Sequence, residues 1–319
     1  MNKKMLISVV LSFRNEESVI PELISRLEKN LELAGVDYEL IFINDDSTDR
    51  SREMLTERCK SDRHIKLINM SRNFGIFPCV LAGFEYSSGD AVIYMDADLQ
   101  DPPEVIPQMI KIWLEEKAEV VHTKRASRAG ESKIKLWVTK LGYFILNHVS
   151  NVHIEPEVGD FKLLSRRAVK ELMKMKEKKP FTRGMISWIG FNQKTLSYQR
   201  EARFAGATKF PIFSWGVLSN FLDSALISFS DIPLKISLFL GFLVSFGAFC
   251  FLILVLTLKV MQVPVSGWTA IMASILVLGG FQLLTIGVLG LYINSIYLET
   301  KGRPNYIVES TLGFQDREK

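Results

Sequence analysis

Ile236 to Leu258 is a run of 23 residues without a charge, and Val260 to Leu298 is a second, broken only by the turn-prone Val263-Pro264-Val265-Ser266-Gly267. No other feature limits the fold so tightly. At about 1.5 Å rise per residue, the first run makes a helix of about 35 Å, longer than a hydrocarbon core of roughly 30 Å. A buried hairpin in a soluble protein could share this composition, but helices apolar on every face argue for lipid. The pattern therefore predicts two membrane-spanning helices over 233–298. Lys235 precedes them, Lys301 and Arg303 follow, and the connecting turn has only Lys259 at its edge. The positive-inside rule then places the large N-terminal part and the C-terminal tail in the cytoplasm, as a multi-pass protein of the inner (plasma) membrane.

These runs account for the 48% hydrophobic content of a 319-residue chain. The apolar stretch Met5 to Phe13 is too short for a signal peptide and runs into Arg14-Asn15-Glu16-Glu17, so it reads as a strand. Cys59, Cys79 and Cys250 share no metal or redox spacing. A net charge of +4 does not suggest nucleic acid. The basic residues beside the spans suit an anionic leaflet instead.

Before the spans, short apolar strands alternate with helical patterns. Strands are expected at Leu6–Leu11, Tyr38–Ile43, Ile65–Met70, Ala91–Met95 and Glu119–Thr123, with helices at 18–34, up to about Cys59, from about Phe77, and after Pro102-Pro103. This alternation predicts an α/β domain with a mostly parallel sheet and a nucleotide-binding architecture. No Gly-x-Gly-x-x-Gly follows the first strand and no Walker lysine occurs, which excludes the dinucleotide and P-loop patterns. Beyond Arg128 the alternation breaks. Lys133–Val149 reads as an amphipathic helix, on a membrane surface or on the domain, and Ser165 as a helix cap. Phe181–Ile189 reads as a short helix, Lys194–Tyr198 as a strand, and Phe210–Phe229 as an interfacial helix. The expected organisation is a catalytic domain over 1–210, a juxtamembrane helix over 211–232, the spans over 233–298 and a tail over 299–319.

Asp96-Ala97-Asp98-Leu99-Gln100-Asp101-Pro102-Pro103 follows the fourth strand. Two carboxylates one residue apart at a strand's C-terminal end can turn toward one divalent ion, and Gln100 adds a third oxygen. Hard ions such as Mg²⁺ or Mn²⁺ take such ligands, with substrate phosphates completing the shell. The bland alternative is a solvated acidic turn.

Further pieces accompany it in order: Asn15-Glu16, Asn44-Asp45-Asp46-Ser47-x-Asp49, Ser71-Arg72-Asn73-Phe74-Gly75, Arg125-x-x-Arg128, Gly159-Asp160-Phe161, Arg203-x-x-Gly206-x-Thr208-Lys209 and Lys301-x-Arg303-Pro304-x-Tyr306. With this set, over nearly the whole chain, the sequence resembles the polyprenyl-phosphate glycosyltransferases of the inverting GT-A, family 2 type. That family includes dolichyl-phosphate mannose synthases and bactoprenol glucosyltransferases. The resemblance implies a GT-A domain that transfers a hexose from a nucleotide sugar, UDP-glucose first, to undecaprenyl phosphate at the cytoplasmic face. UDP-GlcNAc, UDP-galactose, a UDP-aminoarabinose type donor and GDP-mannose are the alternatives. Its implied roles are residue by residue. Asp96, Asp98 and Gln100 hold the metal, and Asp96 and Arg72 also serve the nucleotide sugar. Asp45 accepts hydrogen bonds from the base, with Asn15, Glu16 and Asp46 nearby; capping of the next helix is the lesser alternative at Asp46, and less again at Asp45. Arg125, Arg128, Arg203 and Lys209 bind the acceptor phosphate, a task suited to forked guanidinium donors, although a lone surface arginine is often only a solvated charge. Asp98 and Asp160 form the catalytic pair, Asp160 as orienting group or base near the acceptor. Self-association, a flippase and a downstream glycosyltransferase are further partners it suggests.

Two departures from the family touch the donor side. Ser12 and Arg14 stand where a proline and an aromatic are usual, and Ile76-Phe77 where a polar or basic pair is common. Two rival readings remain. A processive polysaccharide synthase carries Gln-x-x-Arg-Trp, but none of the five tryptophans here follows an arginine. A non-catalytic scaffold should lose its metal carboxylates first, and both are present.

Overall fold

The computed structural model describes residues 4–125, 158–178, 181–199, 232–262 and 267–314, in two compact units. The two helices expected at Lys133–Val149 and Phe210–Phe229 lie outside these residues.

The first unit is built on β1 (Leu6–Phe13), α1 (Ile20–Leu33), β2 (Asp37–Asn44), α2 (Ser51–Ser61), β3 (Ile65–Met70), α3 (Ile76–Tyr86), β4 (Ala91–Asp96), α4 (Ile106–Glu115) and β5 (Val120–Arg125). There follow β6 (Val158–Ser165), α5 (Arg166–Lys174), α6 (Thr182–Trp188) and β7 (Gln193–Tyr198), and after the second unit β8 (Val308–Leu312). The eight strands form one sheet in the order β7-β5-β6-β4-β1-β2-β3-β8. Its centre, β4-β1-β2-β3, is parallel, as the β-α alternation predicted. β5 and β7 are also parallel, whereas β6 runs antiparallel between β4 and β5, and β8 antiparallel along β3. Neither β6 nor β8 was assigned from the sequence.

The central strands read as continuous apolar runs because both faces are covered. Ile7, Val9 and Leu11 of β1 join Leu23, Leu27 and Leu31 of α1 in the core on one face. On the other face α3 lies so close that a Cβ on Gly83 would meet Val10 Cγ1 at 2.2 Å. The loop that opens α3 is thereby set against the ends of β1 and β2. Pro103 opens a 3-10 turn that runs into α4, and Ser165 caps α5 by accepting from Ala168 N at 3.0 Å.

At the N-terminal edge of the sheet, the buried Glu39 carboxylate joins three strands. It accepts from Lys66 Nζ at 2.5 Å, Ser88 N at 2.7 Å and the Ser8 hydroxyl. Burial pushes this carboxyl up, but the hydrogen bonds from Lys66, Ser8 and Ser88 outweigh burial and hold it below its ordinary range. With the folded value below the unfolded one, this contribution is present above the ordinary glutamate pKa of about 4.3 and is lost as pH falls through and below it. Glu39→Gln is expected to cost about 2 kcal/mol, lowering Tm by roughly 4–8 °C at pH 7. Thermal scans of both proteins in detergent should show that gap holding down to about pH 4 and narrowing below it.

The second unit contains α7 (Ile232–Val260) and α8 (Trp268–Thr300), which pack on each other. Their segments Ile232–Leu258 and Ile271–Thr300 are long and apolar enough to cross a membrane. Leu238, Phe242, Leu276 and Leu283 are exposed, where a helix of a soluble core would bury them.

Candidate active site

The central parallel strands end on one edge of the sheet, where open α/β sheets bind ligands. Three strand ends there carry a non-glycine residue in the left-handed region: Asn15 after β1 (φ 56°), Asp46 after β2 (φ 59°) and Leu99 after β4 (φ 56°). Asn and Asp adopt it readily, whereas for Leu it costs about 1–2 kcal/mol. Leu99 is held there by burial in the core.

Asp96 is the last residue of β4, and Asp98 lies in the turn beyond, both half-buried with Gln100. Asp98 Oδ1 accepts from Gln100 N at 3.1 Å, which curls the loop back on itself. The far end of the loop is anchored because Tyr198 donates its hydroxyl hydrogen to the buried Asp101. Among the described residues no cluster of three or more acidic, histidine or cysteine side chains is placed to hold a metal. A cation at Asp96 and Asp98 would therefore rest on two carboxylates, an amide oxygen and ligand oxygens. That set fits Mg²⁺ or Mn²⁺ bound with a diphosphate.

β1 and β2 supply the neighbouring wall. Asp45 is buried, and its oxygens accept from the backbone of the 71–75 loop, Oδ1 from Phe74 N at 2.7 Å and Oδ2 from Gly75 N at 3.0 Å. Asn15 ties β1 to the β2 loop: Oδ1 accepts from Thr48 N at 2.7 Å, and Nδ2 donates to Thr48 Oγ1 at 3.2 Å. Glu16 is buried, its amide donating to Ser51 Oγ at 3.0 Å. Asp46 is exposed, and α2 begins instead with Asp49 Oδ1 accepting from Ser51 N at 3.1 Å. Arg72 lies over the Phe74 ring at 4.2 Å. Arg14 reaches the same loop: with the Asn73 amide oxygen facing it, Nη1 and Nε donate at 2.7 and 3.2 Å.

On the other side of β4 stands Asp160 of β6. Tyr94 pairs with Lys162, and continuing that antiparallel register by two residues sets Asp160 opposite Asp96 on the same sheet face. Asp160 is held by a forked ion pair, accepting from Arg183 Nε at 2.9 Å and Nη2 at 2.7 Å. Arg183 lies on α6 and belonged to no motif in the sequence; its one signal is a charge in the otherwise apolar Met185, Ile186 and Trp188 helix. Beneath the pair, the buried Tyr94 hydroxyl has no hydrogen-bond partner among the described residues. Burial raises its pKa, and Asp160 and Asp96 act in the same direction against Arg183.

The structure thus brings together Asn15, Glu16, Asp45, Asp46, Arg72, Asp96, Asp98, Gln100 and Asp160 at one sheet edge. Arg125 ends β5 in register with Tyr198, with only its backbone described. Arg128, Arg203 and Lys209 lie outside the described residues.

Comparison with known proteins shows the family. The sequence profile of "Glycosyl transferase family 2" matches residues 8–173. An "Uncharacterized glycosyltransferase YkcC" of Bacillus subtilis is 39% identical over 318 residues, covering 99% of this chain and 97% of its own length. The "Bactoprenol glucosyl transferase" of Shigella phage SfX is 38% identical over 307 residues, 96% of this chain and 99% of its own. A prophage bactoprenol glucosyl transferase homolog of Escherichia coli is 38% identical over 306 residues, 96% of this chain and 99% of its own.

Proposed function

The chain belongs to glycosyltransferase family 2, as a polyprenyl-phosphate glycosyltransferase, and from that premise we propose that it transfers glucose from UDP-glucose to undecaprenyl phosphate with inversion at the anomeric carbon. The observation that carries this reading is the row of groups along one sheet edge: Asp45 and the 71–75 loop, then Asp96 and Asp98, then Asp160.

In this reading the nucleoside lies over β1 and β2, between Asn15, Glu16, Asp46 and Arg72. Asp45, already fixed by two backbone amides, keeps lone pairs for the base. Asp96, Asp98 and Gln100 would hold a Mg²⁺ or Mn²⁺ ion, which when bound would supply positive charge against the leaving nucleoside diphosphate. A phosphate oxygen of the lipid attacks the anomeric carbon as the bond to the diphosphate oxygen breaks, and that oxygen keeps the electron pair. A phosphate monoester is already ionised at neutral pH, with a second pKa of about 6. Asp160 therefore serves to orient the acceptor more than to remove a proton. Arg125, Arg128, Arg203 and Lys209 neutralise the acceptor phosphate. The acceptor's polyprenyl chain stays in the bilayer, so two membrane helices raise its effective concentration at the site. Both flanking segments then lie in the cytoplasm.

Membranes containing the chain, given labelled UDP-glucose, UDP-GlcNAc, UDP-galactose or GDP-mannose with Mg²⁺ or Mn²⁺, are expected to yield a labelled lipid-extractable product, from UDP-glucose in the first instance. Transfer from another donor alone would correct the sugar and keep the reaction. No lipid product from any donor would overturn the proposal.

A further inference from the structure

After the second membrane helix the chain returns to the first unit, and its residues 305–314 are bonded into the sheet edge nearest the donor side. Asn305 Nδ2 donates to Glu177 O at 2.8 Å, and Tyr306 donates its hydroxyl hydrogen to Glu85 on α3. Ile307 O accepts from Ser71 N at 3.0 Å, at the first residue of the loop that Asp45 holds further on. β8 then pairs with β3, Asn69 opposite Ser310.

That pairing begins a chain of side-chain bonds leading to the turn that carries the same aspartate. Ser310 Oγ accepts from Asn69 Nδ2 at 3.0 Å, Asn69 Oδ1 from Asn44 Nδ2 at 3.0 Å, and Asn44 Oδ1 from Ser47 N at 2.9 Å. Asn44 and Asn69 are buried, so each amide depends on its neighbours to fix its orientation. β8 therefore reaches the Asp45-Asp46-Ser47 turn by two routes, one through Ser71 and the 71–75 loop and one through the two asparagines. One route ends on the Ser47 amide in the turn that carries Asp45, the other on the 71–75 loop whose Phe74 and Gly75 amides the Asp45 carboxylate accepts, so together they support the two segments that set where it stands.

We propose that the strand following the membrane helices is part of the donor site, and that Ser310 is a positioning residue for nucleotide binding. This rests on the donor reading above. Without the Ser310 hydroxyl, Asn69 loses its acceptor, and the relay that orients the Ser47 turn loses its end.

The test is titration of the full-length protein in detergent with UDP, with GDP as comparison, in MnCl₂. Ser310→Ala is expected to weaken UDP binding roughly 3- to 10-fold, the worth of one hydrogen bond in such a relay. Ser310→Thr keeps the hydroxyl and should stay within about twofold of wild type. Thr311→Ala, one residue on and exposed, should leave binding unchanged. The KM for polyprenyl phosphate should not move in any of the three. A role in stability alone would lower the Ser310→Ala melting temperature and leave UDP affinity intact, and that result overturns the inference. So does equal weakening by Thr311→Ala, which would mark a general effect of the edge strand. A wild-type chain that binds neither UDP nor GDP would remove the donor reading itself, and the inference with it.

Discussion

Asp98→Asn is expected to reduce transfer to lipid by about 10²–10³-fold, with the protein still folded and inserted. The substitution is nearly isosteric, and its amide oxygen can still accept the Gln100 N–H that curls the loop. What it removes is a full negative charge from a site where, among the described residues, no third acidic, histidine or cysteine side chain joins Asp96 and Asp98 in a metal-holding cluster. Weakened neutralisation of the leaving diphosphate is worth several kcal/mol, which at about 1.4 kcal/mol per decade gives that range. Initial rates across a series of Mn²⁺ concentrations check it, since partial recovery at high metal separates lost affinity from lost chemistry. An Asp98→Asn protein with undiminished turnover would remove the metal from the proposal and favour a scaffold.

The second large effect is expected at a pair rather than a residue. Asp160 and Arg183 bind each other through two parallel hydrogen bonds, both partly buried. Removing either charge takes the forked bond from the other beside the buried Tyr94, so the two are expected to act together. Asp160→Asn and Arg183→Ala are each expected to lower kcat/KM for the lipid acceptor by about 10- to 100-fold, as for loss of a charge-assisted bond of roughly 1.5–3 kcal/mol. The double substitution should cost little more than the worse single one, because both remove the same interaction. Arg183→Lys keeps the charge without the fork and should fall between. Strict additivity would show that Asp160 works without its arginine. A uniform loss of nucleotide affinity would place the pair on the donor side instead.

The parallel core could be read from the sequence because its strands are buried on both faces and so appear as apolar runs separated by amphipathic helices. β6 escaped that reading because Asp160 and Lys162 interrupt its apolar pattern. In the fold Lys162 is almost fully buried, its Nζ 3.1 Å from His122 Nδ1, and a lysine supported in this way cannot be told from a surface lysine by its neighbours in sequence. β8 escaped for a different reason. Val308–Leu312 is short and has three polar residues in a row, Glu309, Ser310 and Thr311, and its strand partner lies before the two long apolar helices, 241 residues from Ser310 to Asn69.

The carboxylates of the candidate site were found by their position, since a charged pair directly after a buried strand stands at the sheet edge whatever the rest of the chain does. Their partners were not. Asp45 proved to hold the 71–75 loop with both oxygens, and Asp160 proved to be held by Arg183, because hydrogen bonds between distant segments leave no periodicity to read. The amino-acid sequence by itself determined which stretches are too apolar to face water, which alternate, and which carboxylates the strands must leave at their ends; these follow from burial and backbone period, which are local. Only the tertiary structure decided the antiparallel strands, the arginine that holds Asp160 and the return of the tail to the sheet edge beside β3, because directional bonds between remote segments exist only once the chain has closed.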